Sequence, residues 1–462
     1  MARARYKRLV DQFANDIQAG VLLPGARLPT HRQLAAEQSI ALVTASRVYA
    51  ELERMGLVSG EAGRGTFVRE TTLPLSHGID QPAAAEGVVD LNFNSPSLPG
   101  QAELLRRTLR QLAGSGDLEA LLHYQPHAGR KHERAIVARH LNCRGLSVDA
   151  SQVLIVSGAQ HGLAATVMTL LNPGDVVAVD ALAYPGFKVL AEVHRLELVP
   201  IPVSGSVSTP ASDPALSPVL GPALGPDLDA LERLCQHRRV RAVYAMPTLH
   251  NPMGWVMGLA QRERLVSIAR QHNLLIIEDA AYAFLADNPP PPLAALAPEI
   301  TVYVSGLSKS VATGLRVGFI AAPQAWVARM ERTVRATTWN TPGLMTAIAS
   351  GWIEDGTVDR LEAEKRQDAM ARQSIARKIL NGLDYVSHPA SYFLWLPLPE
   401  EVRADQVVMA LMRSNISVST AEPFATTEHV PHAIRLALGS VGLERLQQAL
   451  TTVRQVINDH TY

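Results

Sequence analysis

Residues 301–316 read Thr-Val-Tyr-Val-Ser-Gly-Leu-Ser-Lys-Ser-Val-Ala-Thr-Gly-Leu-Arg, and a β-branched, apolar run ends there shortly before Lys309. A lysine amine kept from bulk water at the mouth of a sheet can form a Schiff base with an aldehyde cofactor. Arg316, seven residues later, can hold the phosphate of such a cofactor through its paired N–H donors. Taken alone, this segment is equally compatible with a solvated surface lysine.

Polar side chains follow other predicted strands at regular intervals. Asn251 precedes Asp279 by 28 residues, and Asp279 precedes Lys309 by 30, which is about one βα unit each time. Apolar runs alternate with helical patterns throughout this half of the chain, at residues 153–156, 176–180, 242–246 and 274–277 among others. This alternation predicts a mostly parallel sheet, and ligands gather beyond the carboxyl ends of such strands.

Together these residues provide what a pyridinium cofactor needs. The Asp279 carboxylate can pair with the ring nitrogen, and Asn251 and Tyr282 can donate to the phenolic oxygen. Tyr184, in a turn after the run at 176–180, can stack on the ring. Each residue also has a structural alternative, since a lone Asp at a strand end often caps a helix and an aromatic ring can simply seal a loop.

A phosphate site is predicted from two further segments. Ser308 offers a hydroxyl beside Arg316. The turn Gly158-Ala159-Gln160, which follows the run at 153–156, can offer backbone amides at the start of a helix.

Over residues ~90–462 the chain resembles the pyridoxal-phosphate-dependent aminotransferases of fold type I, class I/II. The segments that carry the resemblance are Asn251-Pro-Met-Gly254, Asp279-Ala-Ala-Tyr282, and Ser308-Lys309 through Arg316-Val-Gly318. The resemblance implies pyridoxal 5'-phosphate bound at Lys309, with Lys309, Asp279 and Tyr184 as the catalytic residues.

The same resemblance suggests how a substrate is held. Arg435, in His432-Ala-Ile-Arg435, matches the arginine that grips a substrate α-carboxylate, and Asn251 is a second substrate contact. Tyr124 matches a residue that reaches the cofactor phosphate, often across a dimer interface. For Arg435 the alternative is a surface arginine at a strand edge.

The first 69 residues have a different character. They hold ten Lys or Arg against six Asp or Glu, a surplus of four, although the whole chain has 43 of each. Thr30-His-Arg-Gln33 predicts a capping box at a short helix, and Val43–Met55 predicts a second helix. Short strands at 57–58 and 66–68 flank a hairpin with Arg64 at its tip, which completes a winged helix-turn-helix pattern.

This head resembles the GntR-type bacterial regulators over residues 5–69. The resemblance implies that Arg32, Thr44 and Arg47 contact DNA from the helices and that Arg64 and Gly65 contact it from the wing. The chain departs from the family at Ala41-Leu42, where those regulators usually carry Ser-Arg, so a helix cap and a DNA-contacting arginine are lost. A three-helix protein-interaction module with solvated arginines is the alternative.

The composition excludes several classes of protein. The two cysteines, Cys143 and Cys235, are too few for a disulfide framework or a cysteine-based metal site, and no metal site is expected. No apolar run approaches the ~20 residues of a membrane span, and no signal-peptide pattern follows the basic amino terminus. We therefore expect a cytoplasmic protein without a membrane partner.

The predicted architecture is an α/β chain with a winged helix-turn-helix domain at 1–71, a linker at 72–88 and an aminotransferase-like body at 89–462. The body is expected to contain a large mixed, mostly parallel sheet and a smaller α+β C-terminal subdomain at about 345–462. This combination resembles the MocR subfamily of GntR-type transcriptional regulators.

That resemblance implies a homodimer, arranged head-to-tail, that binds operator DNA and senses an amino acid or related amine through aldimine exchange at Lys309. One alternative is a working aminotransferase with an accessory DNA-binding head. In the other, the head is a protein-docking module on a metabolic enzyme.

Overall fold

The computed structural model describes residues 6, 9, 10, 12–14, 16, 17, 21, 22, 26–54, 57–61, 65–68, 88–115, 118–204, 224–399, 402, 404–427 and 430–461. The chain divides into two compact units, Met1–Ser76 and His77–Tyr462. Within the described ranges, no helix combines the length and the apolar composition that crossing a membrane requires. The predicted linker at 72–88, except for its last residue, and most of the Pro- and Ala-rich segment at 204–226 lie outside these ranges.

The first unit contains the predicted helices and strands. The described residues between Tyr6 and Ile17 are helical, and they are followed by α1 (His31–Glu37), α2 (Leu42–Arg54) and the antiparallel strands β1 (Val58–Glu61) and β2 (Gly65–Val68). The capping box at α1 is confirmed, because Thr30 and Gln33 exchange side-chain and backbone hydrogen bonds. Buried apolar side chains from all the helices form its core, including Leu9, Leu34, Val48 and Leu52.

The second unit is built around a seven-stranded sheet in the order β4-β12-β11-β10-β9-β5-β6. Its strands are β4 (Val153–Val156), β5 (Val176–Asp180), β6 (Glu197–Ile201), β9 (Val240–Ala245), β10 (Leu275–Asp279), β11 (Thr301–Gly306) and β12 (Gly318–Ala321). All neighbouring pairs are parallel except those of β12, which runs antiparallel to both β11 and β4. The predicted mixed, mostly parallel sheet is confirmed.

The helices of this unit lie between and after the strands. They are α3 (Gln101–Ser115), α4 (Leu118–Leu122), α5 (Lys131–Asn142), α6 (Ala159–Leu170), α7 (Pro185–Val193), α8 (Leu228–His237), α9 (Leu259–His272), α10 (Leu293–Leu296), α11 (Leu307–Ser310), α12 (Gln324–Thr337), α13 (Gly343–Glu354), α14 (Thr357–Ile379), α15 (Ala404–Arg413) and α16 (Leu443–Thr461). Short 3₁₀ turns occur at Ala150–Gln152, Ala283–Leu285 and Thr313–Leu315, and β7 (Val203–Ser204) pairs with β8 (Gly225–Pro226).

Helices cover both faces of the large sheet, because alternate residues of one strand pack into different clusters. In β9, Ala242 and Tyr244 pack with residues of α6 and α12, whereas Val243 and Ala245 pack with residues of α9. Strands buried on both faces need nearly continuous apolar runs, and the sequence shows such runs.

The smaller sheet has the order β13-β15-β14-β3, with β3 (Val89–Leu91), β13 (Phe393–Pro397), β14 (Ile416–Thr420) and β15 (Ala433–Ala437). Strand β3 pairs in parallel with β14. The subdomain expected at about 345–462 therefore takes one strand from outside that range. No local pattern reveals this pairing, since the two strands are more than 300 residues apart.

The end of β4 and the start of β12 pass unusually close to each other. A β-carbon on Gly318 would lie 2.5 Å from the carbonyl carbon of Gly158 and 2.8 Å from the amide nitrogen of Ala159. Gly158 itself has φ +88°, a left-handed conformation that favours glycine. The two glycines allow the turn before α6 to sit directly against β12.

We expect Gly318→Ala to lower the free energy of unfolding by roughly 1–3 kcal/mol, because the methyl group would force backbone to move. The matched control is Gly351→Ala in the middle of α13, where a β-carbon would meet no described atom within 4 Å. That substitution should raise the stability by about 0.5–1 kcal/mol. Urea unfolding followed by circular dichroism compares the two, and equal stabilities would contradict the close contact.

Candidate functional site

Strand β10 ends in two adjacent acidic residues, Glu278 and Asp279. Their side chains point to opposite faces of the sheet, as successive residues of a strand do. Asp279 Oδ2 accepts a hydrogen bond from the Tyr244 hydroxyl at 2.9 Å, and Oδ1 accepts from the Ala281 amide at 3.0 Å. Burial raises the pKa of Asp279, while these two donors oppose the rise. Asp279 is the last residue of the strand, two positions beyond the predicted end, because it still pairs with Val304 of β11.

Lys309 lies in α11, the single helical turn that follows β11. Its Nζ donates to the carbonyl of Asn94 at 2.6 Å and lies 5.9 Å from the centre of the Tyr282 ring. Tyr282 is buried and follows β10. The ends of two neighbouring strands thus bring the amine and the phenol together, as the parallel sheet predicts.

The predicted phosphate-binding residues also meet. Arg316 donates to the Ser157 carbonyl at 3.3 Å and to Ser308 Oγ at 3.4 Å. Its guanidinium covers Gly158, where a β-carbon would lie 2.7 Å from Nη2. Gly158 precedes α6, whose first residue is Ala159, so an arginine, a serine hydroxyl and the start of a 12-residue helix face one region.

Tyr184 and Gln160 pack around Gly186 at the start of α7. A β-carbon on Gly186 would lie 2.5 Å from the Tyr184 ring and 2.6 Å from Gln160 Oε1. Gln160 Nε2 donates to the Gly186 carbonyl at 2.9 Å. Burial raises the pKa of Tyr184, and the charge of Asp279 and the Tyr282 hydroxyl raise it further, so Tyr184 belongs to the same cluster as Asp279.

Buried polar side-chain atoms of several predicted site residues are left without a partner among the described residues. They include Asn251 Oδ1 and Gln160 Oε1. Leaving a buried polar group unpaired costs about 1–3 kcal/mol, so such atoms indicate where a polar ligand would bind. An asparagine amide can turn to present either its oxygen or its nitrogen at this position.

Arg435 lies in β15 and is buried. Its Nη1 donates to the carbonyl of Asn92 at 2.6 Å, and its guanidinium carbon lies 5.2 Å from the Phe393 ring centre and 5.8 Å from that of Phe424. Burial lowers the pKa of Arg435, whereas contact with Tyr282 raises it. Arg435 is therefore an interior arginine held between two aromatic rings, not a surface residue at a strand edge.

Residues 92–96, which we call the strap, connect these cationic groups. The carbonyls of alternate residues accept from three of them: Asn92 from Arg435, Asn94 from Lys309 at 2.6 Å, and Pro96 from Lys365 Nζ at 2.8 Å. The strap begins directly after β3 and is also held by hydrogen bonds to Gly439 and Ser440.

Lys365 connects the strap to α11, the helical turn that carries Lys309, which we call the lysine turn. It is fully buried in α14, and its Nζ also donates to the carbonyls of Lys309 at 3.1 Å and Val311 at 2.6 Å. Burial lowers the pKa of Lys365 to about 8, with a further decrease from the charge of Lys309.

The structure does not bring Tyr124 into the cluster. Its side chain is 84% exposed and its ring packs against Trp339, with 5.3 Å between ring centres.

The predicted DNA-contacting residues lie in the first unit. Arg32 and Arg47 are exposed, Thr44 is half-buried, and Gly65 begins β2. Arg64 lies outside the described residues.

Sequence reasoning missed Tyr244, the strap and Lys365. The contact of Tyr244 could have been predicted, because a tyrosine within a buried strand needs a hydrogen-bond partner and the neighbouring strand ends in Asp279. The burial of Lys365 could not have been predicted, since Lys365 lies in the highly charged stretch Glu362–Asp368, which is typical of a solvated helix.

Two family models match the chain. The model described as aminotransferase class I and II matches residues 86–453, and the model described as bacterial regulatory proteins, gntR family, matches residues 5–68.

Relatives with both parts are found over the full length. The uncharacterized HTH-type transcriptional regulator YdeF of Bacillus subtilis is 27% identical, covering 99% of this chain and 95% of its own. A second, YjiR of Escherichia coli, is 24% identical, and the alignment covers 98% of this chain and 98% of YjiR.

Another relative aligns with a smaller part of the chain. The 2-aminoadipate transaminase of Thermus thermophilus is 26% identical over 77% of this chain and 88% of its own.

Solved structures show the same fold in the body. An archaeal alanine:glyoxylate aminotransferase aligns with a TM-score of 0.72 at 23% identity, covering 80% of this chain and 91% of its own. The α-aminoadipate aminotransferase LysN of Thermus thermophilus aligns with a TM-score of 0.70 at 23% identity, covering 81% and 93%.

The carboxylate beside Asp279 gives a pH-dependent prediction. Burial raises the pKa of Glu278 to about 7, although the Ala294 amide and the Arg262 charge oppose the rise. When a buried acid has a higher pKa in the folded state than in the unfolded state, the free energy of unfolding falls as the pH rises from the lower value to the higher one. We expect Glu278→Gln to become more stable than the unaltered protein as the pH rises from about 4.5 to about 7, by on the order of 3 kcal/mol.

Thermal unfolding at pH 5 and pH 8 measures this difference. The control is Glu263→Gln on the exposed side of α9, which should change stability little at either pH. If Glu278→Gln differs from the unaltered protein equally at both pH values, the raised pKa is wrong.

Proposed function

Since the chain belongs to the aminotransferase class I and II family and carries a GntR-type DNA-binding head, we propose that it is a pyridoxal-phosphate-dependent transcriptional regulator that senses an amino acid or related amine. The observation that carries the proposal is the presence, in one chain, of a gntR-family head and a cluster joining Lys309, Asp279, Tyr184 and Arg316. In this proposal the protein is cytoplasmic and its domains are the head at 1–71, the linker at 72–88 and the body at 89–462.

The cluster fits the cofactor. Lys309 would hold it covalently, Asp279 would face its ring nitrogen, and Arg316, Ser308 and the amides of the Gly158-Ala159-Gln160 turn would hold its phosphate. Tyr184 would lie against the ring, with Asn251 and Tyr282 near its phenolic oxygen. The unpaired atoms of Asn251 and Gln160 support this fit. When bound, the group supplies an electron sink for reactions at the carbon that carries an amine.

Arg435 and Asn251 would hold the effector. The buried guanidinium of Arg435 has an Nε without a partner among the described residues and can bind a carboxylate. A carboxylate bound at Arg435 Nε would share the guanidinium charge and so weaken the hydrogen bond from Nη1 to the Asn92 carbonyl, and an amine bound beside Lys309 would change the hydrogen bond from Nζ to the Asn94 carbonyl. Both changes act on the strap, which follows the predicted linker after only the three residues of β3.

In this proposal, the strap and the linker that precedes it would carry the effect of the ligand to the head. A ligand shifts DNA binding only as far as its affinity differs between two states of the protein. In the proposed mechanism those states differ in whether Arg435 and Lys309 hold the strap. The DNA-contacting groups would be Arg32, Thr44, Arg47, Arg64 and Gly65.

We further propose a homodimer, arranged head-to-tail, in which Tyr124 serves the partner subunit's cofactor phosphate. Exposed apolar side chains near Tyr124 support this proposal: Leu122, Trp339 and Leu344 are exposed, and the segment carrying Leu121 packs at the start of α13. Contiguous exposed apolar surface marks interaction sites.

A catalytically active aminotransferase with an accessory head is the second candidate. The observation that favours it is that Lys309 Nζ lies 5.9 Å from the Tyr282 ring centre, and that Tyr282 contacts the buried Arg435 and follows the buried Asp279 by three residues. Proton transfer at a bound amino acid requires groups of these kinds. A sensor needs the same groups for binding, so the residues alone do not separate the two.

We expect Lys309→Ala to abolish both the visible absorbance of protein-bound cofactor and the effect of amino acids on DNA binding. The control is Lys378→Ala, an exposed lysine near the end of α14, which should keep both. Full-length protein with pyridoxal phosphate would be given a panel of amino acids and a keto-acid acceptor. Absorbance, keto-acid release and fluorescence anisotropy of a duplex selected from random sequences would be followed together.

Three results decide between the candidates. Ligand-dependent DNA binding that survives in Lys309→Ala would rule out sensing at Lys309. Multiple turnovers without specific DNA binding would make the protein an enzyme. Specific DNA binding that responds to one ligand without turnover would support the regulator.

A further inference from the structure

The start of α2 exposes apolar side chains. Leu42 is 48% exposed and Val43 is 80% exposed, and Ala41, just before the helix, is also exposed. We call these three residues the apolar tip. The opposite side of α2 packs into the core of the head, where Ala45, Val48 and Leu52 are fully buried.

The apolar tip contributes little to the stability of the head. Stabilisation by an apolar side chain scales with the area it removes from water, and Val43 leaves four-fifths of its surface exposed. Packing within the head therefore does not explain why a leucine and a valine stand here, whereas a partner that covers them would.

The surroundings of the apolar tip favour a polyanion. Val43 and Arg47 lie one helical turn apart on the exposed side of α2, and Arg32 on α1 is also exposed. The guanidinium of Arg47 lies 4.8 Å from the Tyr6 ring, which restricts its orientation. Arginines beside the tip suit backbone phosphates, and a three-residue patch is too small to form a stable protein interface by itself.

Within DNA, an apolar side chain has one sequence-specific target in the major groove. Leucine and valine have no hydrogen-bonding groups, so they cannot read the donor and acceptor pattern of a base edge. The C5-methyl group of thymine is the apolar feature of that groove. We infer that the apolar tip recognises thymine methyl groups, with Leu42 and Val43 as specificity-determining residues. This inference rests on the proposed DNA binding of the head.

The test begins with full-length protein and pyridoxal phosphate, which select duplexes from a random library. In the best duplex, each dT is then replaced singly by dU, which removes the methyl and leaves base pairing intact. We expect one or two positions in the duplex at which this change weakens binding about three- to fivefold, the effect of one buried methyl group.

Variants connect those positions to the apolar tip. In Val43→Ala and Leu42→Ala, the ratio of dT to dU affinity at one position should fall to about one, while the ratios elsewhere persist. The control Val193→Ala removes a similarly exposed valine from the end of α7 in the body and should leave every ratio unchanged.

The outcomes are distinguishable. Specific binding that tolerates dU at every position overturns the inference and leaves DNA binding intact. Failure to enrich any duplex overturns the proposed function as well. If Val43→Ala changes the sedimentation of the protein but no dT to dU ratio, the apolar tip is a surface for self-association and the inference is wrong.

Discussion

The close passage of Gly318 against Gly158 is the contact on which the site depends. Because neither residue has a side chain, antiparallel β12 fits between β4 and β11, and the turn before α6 lies against it. Arg316, two residues before Gly318, is thereby held over the helix start. A bulkier residue at either position would separate the amides from the guanidinium, and an anion could no longer contact both.

Lys365 provides a second constraint, electrostatic in origin. A fully buried ammonium group is costly unless its donors are satisfied, and three carbonyls from Pro96, Lys309 and Val311 satisfy them here. The same interaction ties the lysine turn to the strap, to which Arg435 also donates. One five-residue segment thus connects the groups that would receive both ends of an amino acid.

In the proposed function, this connection is how a body of the aminotransferase class I and II family would serve regulation. Binding and turnover would use the same lysine, carboxylate and arginine, so the difference between sensor and enzyme would lie in the steps that follow binding. In the proposed regulator, a ligand acts by changing the hydrogen bonds to the strap, and the head supplies the response. In the same proposal, Leu42 and Val43 of the apolar tip would determine which duplex is bound.

The sequence by itself determined the two-part architecture, the mixed sheet and most of the candidate cluster, because strand ends follow from local apolar runs and parallel strands gather their carboxyl ends at one edge. It predicted Asp279, Lys309, Arg316 and Tyr184 on that basis. Only the tertiary structure decided the rest: that β3 completes the small sheet, that Tyr244 holds Asp279, and that Lys365 is buried. These features come from contacts between residues distant in sequence, where burial and hydrogen-bond satisfaction override local character.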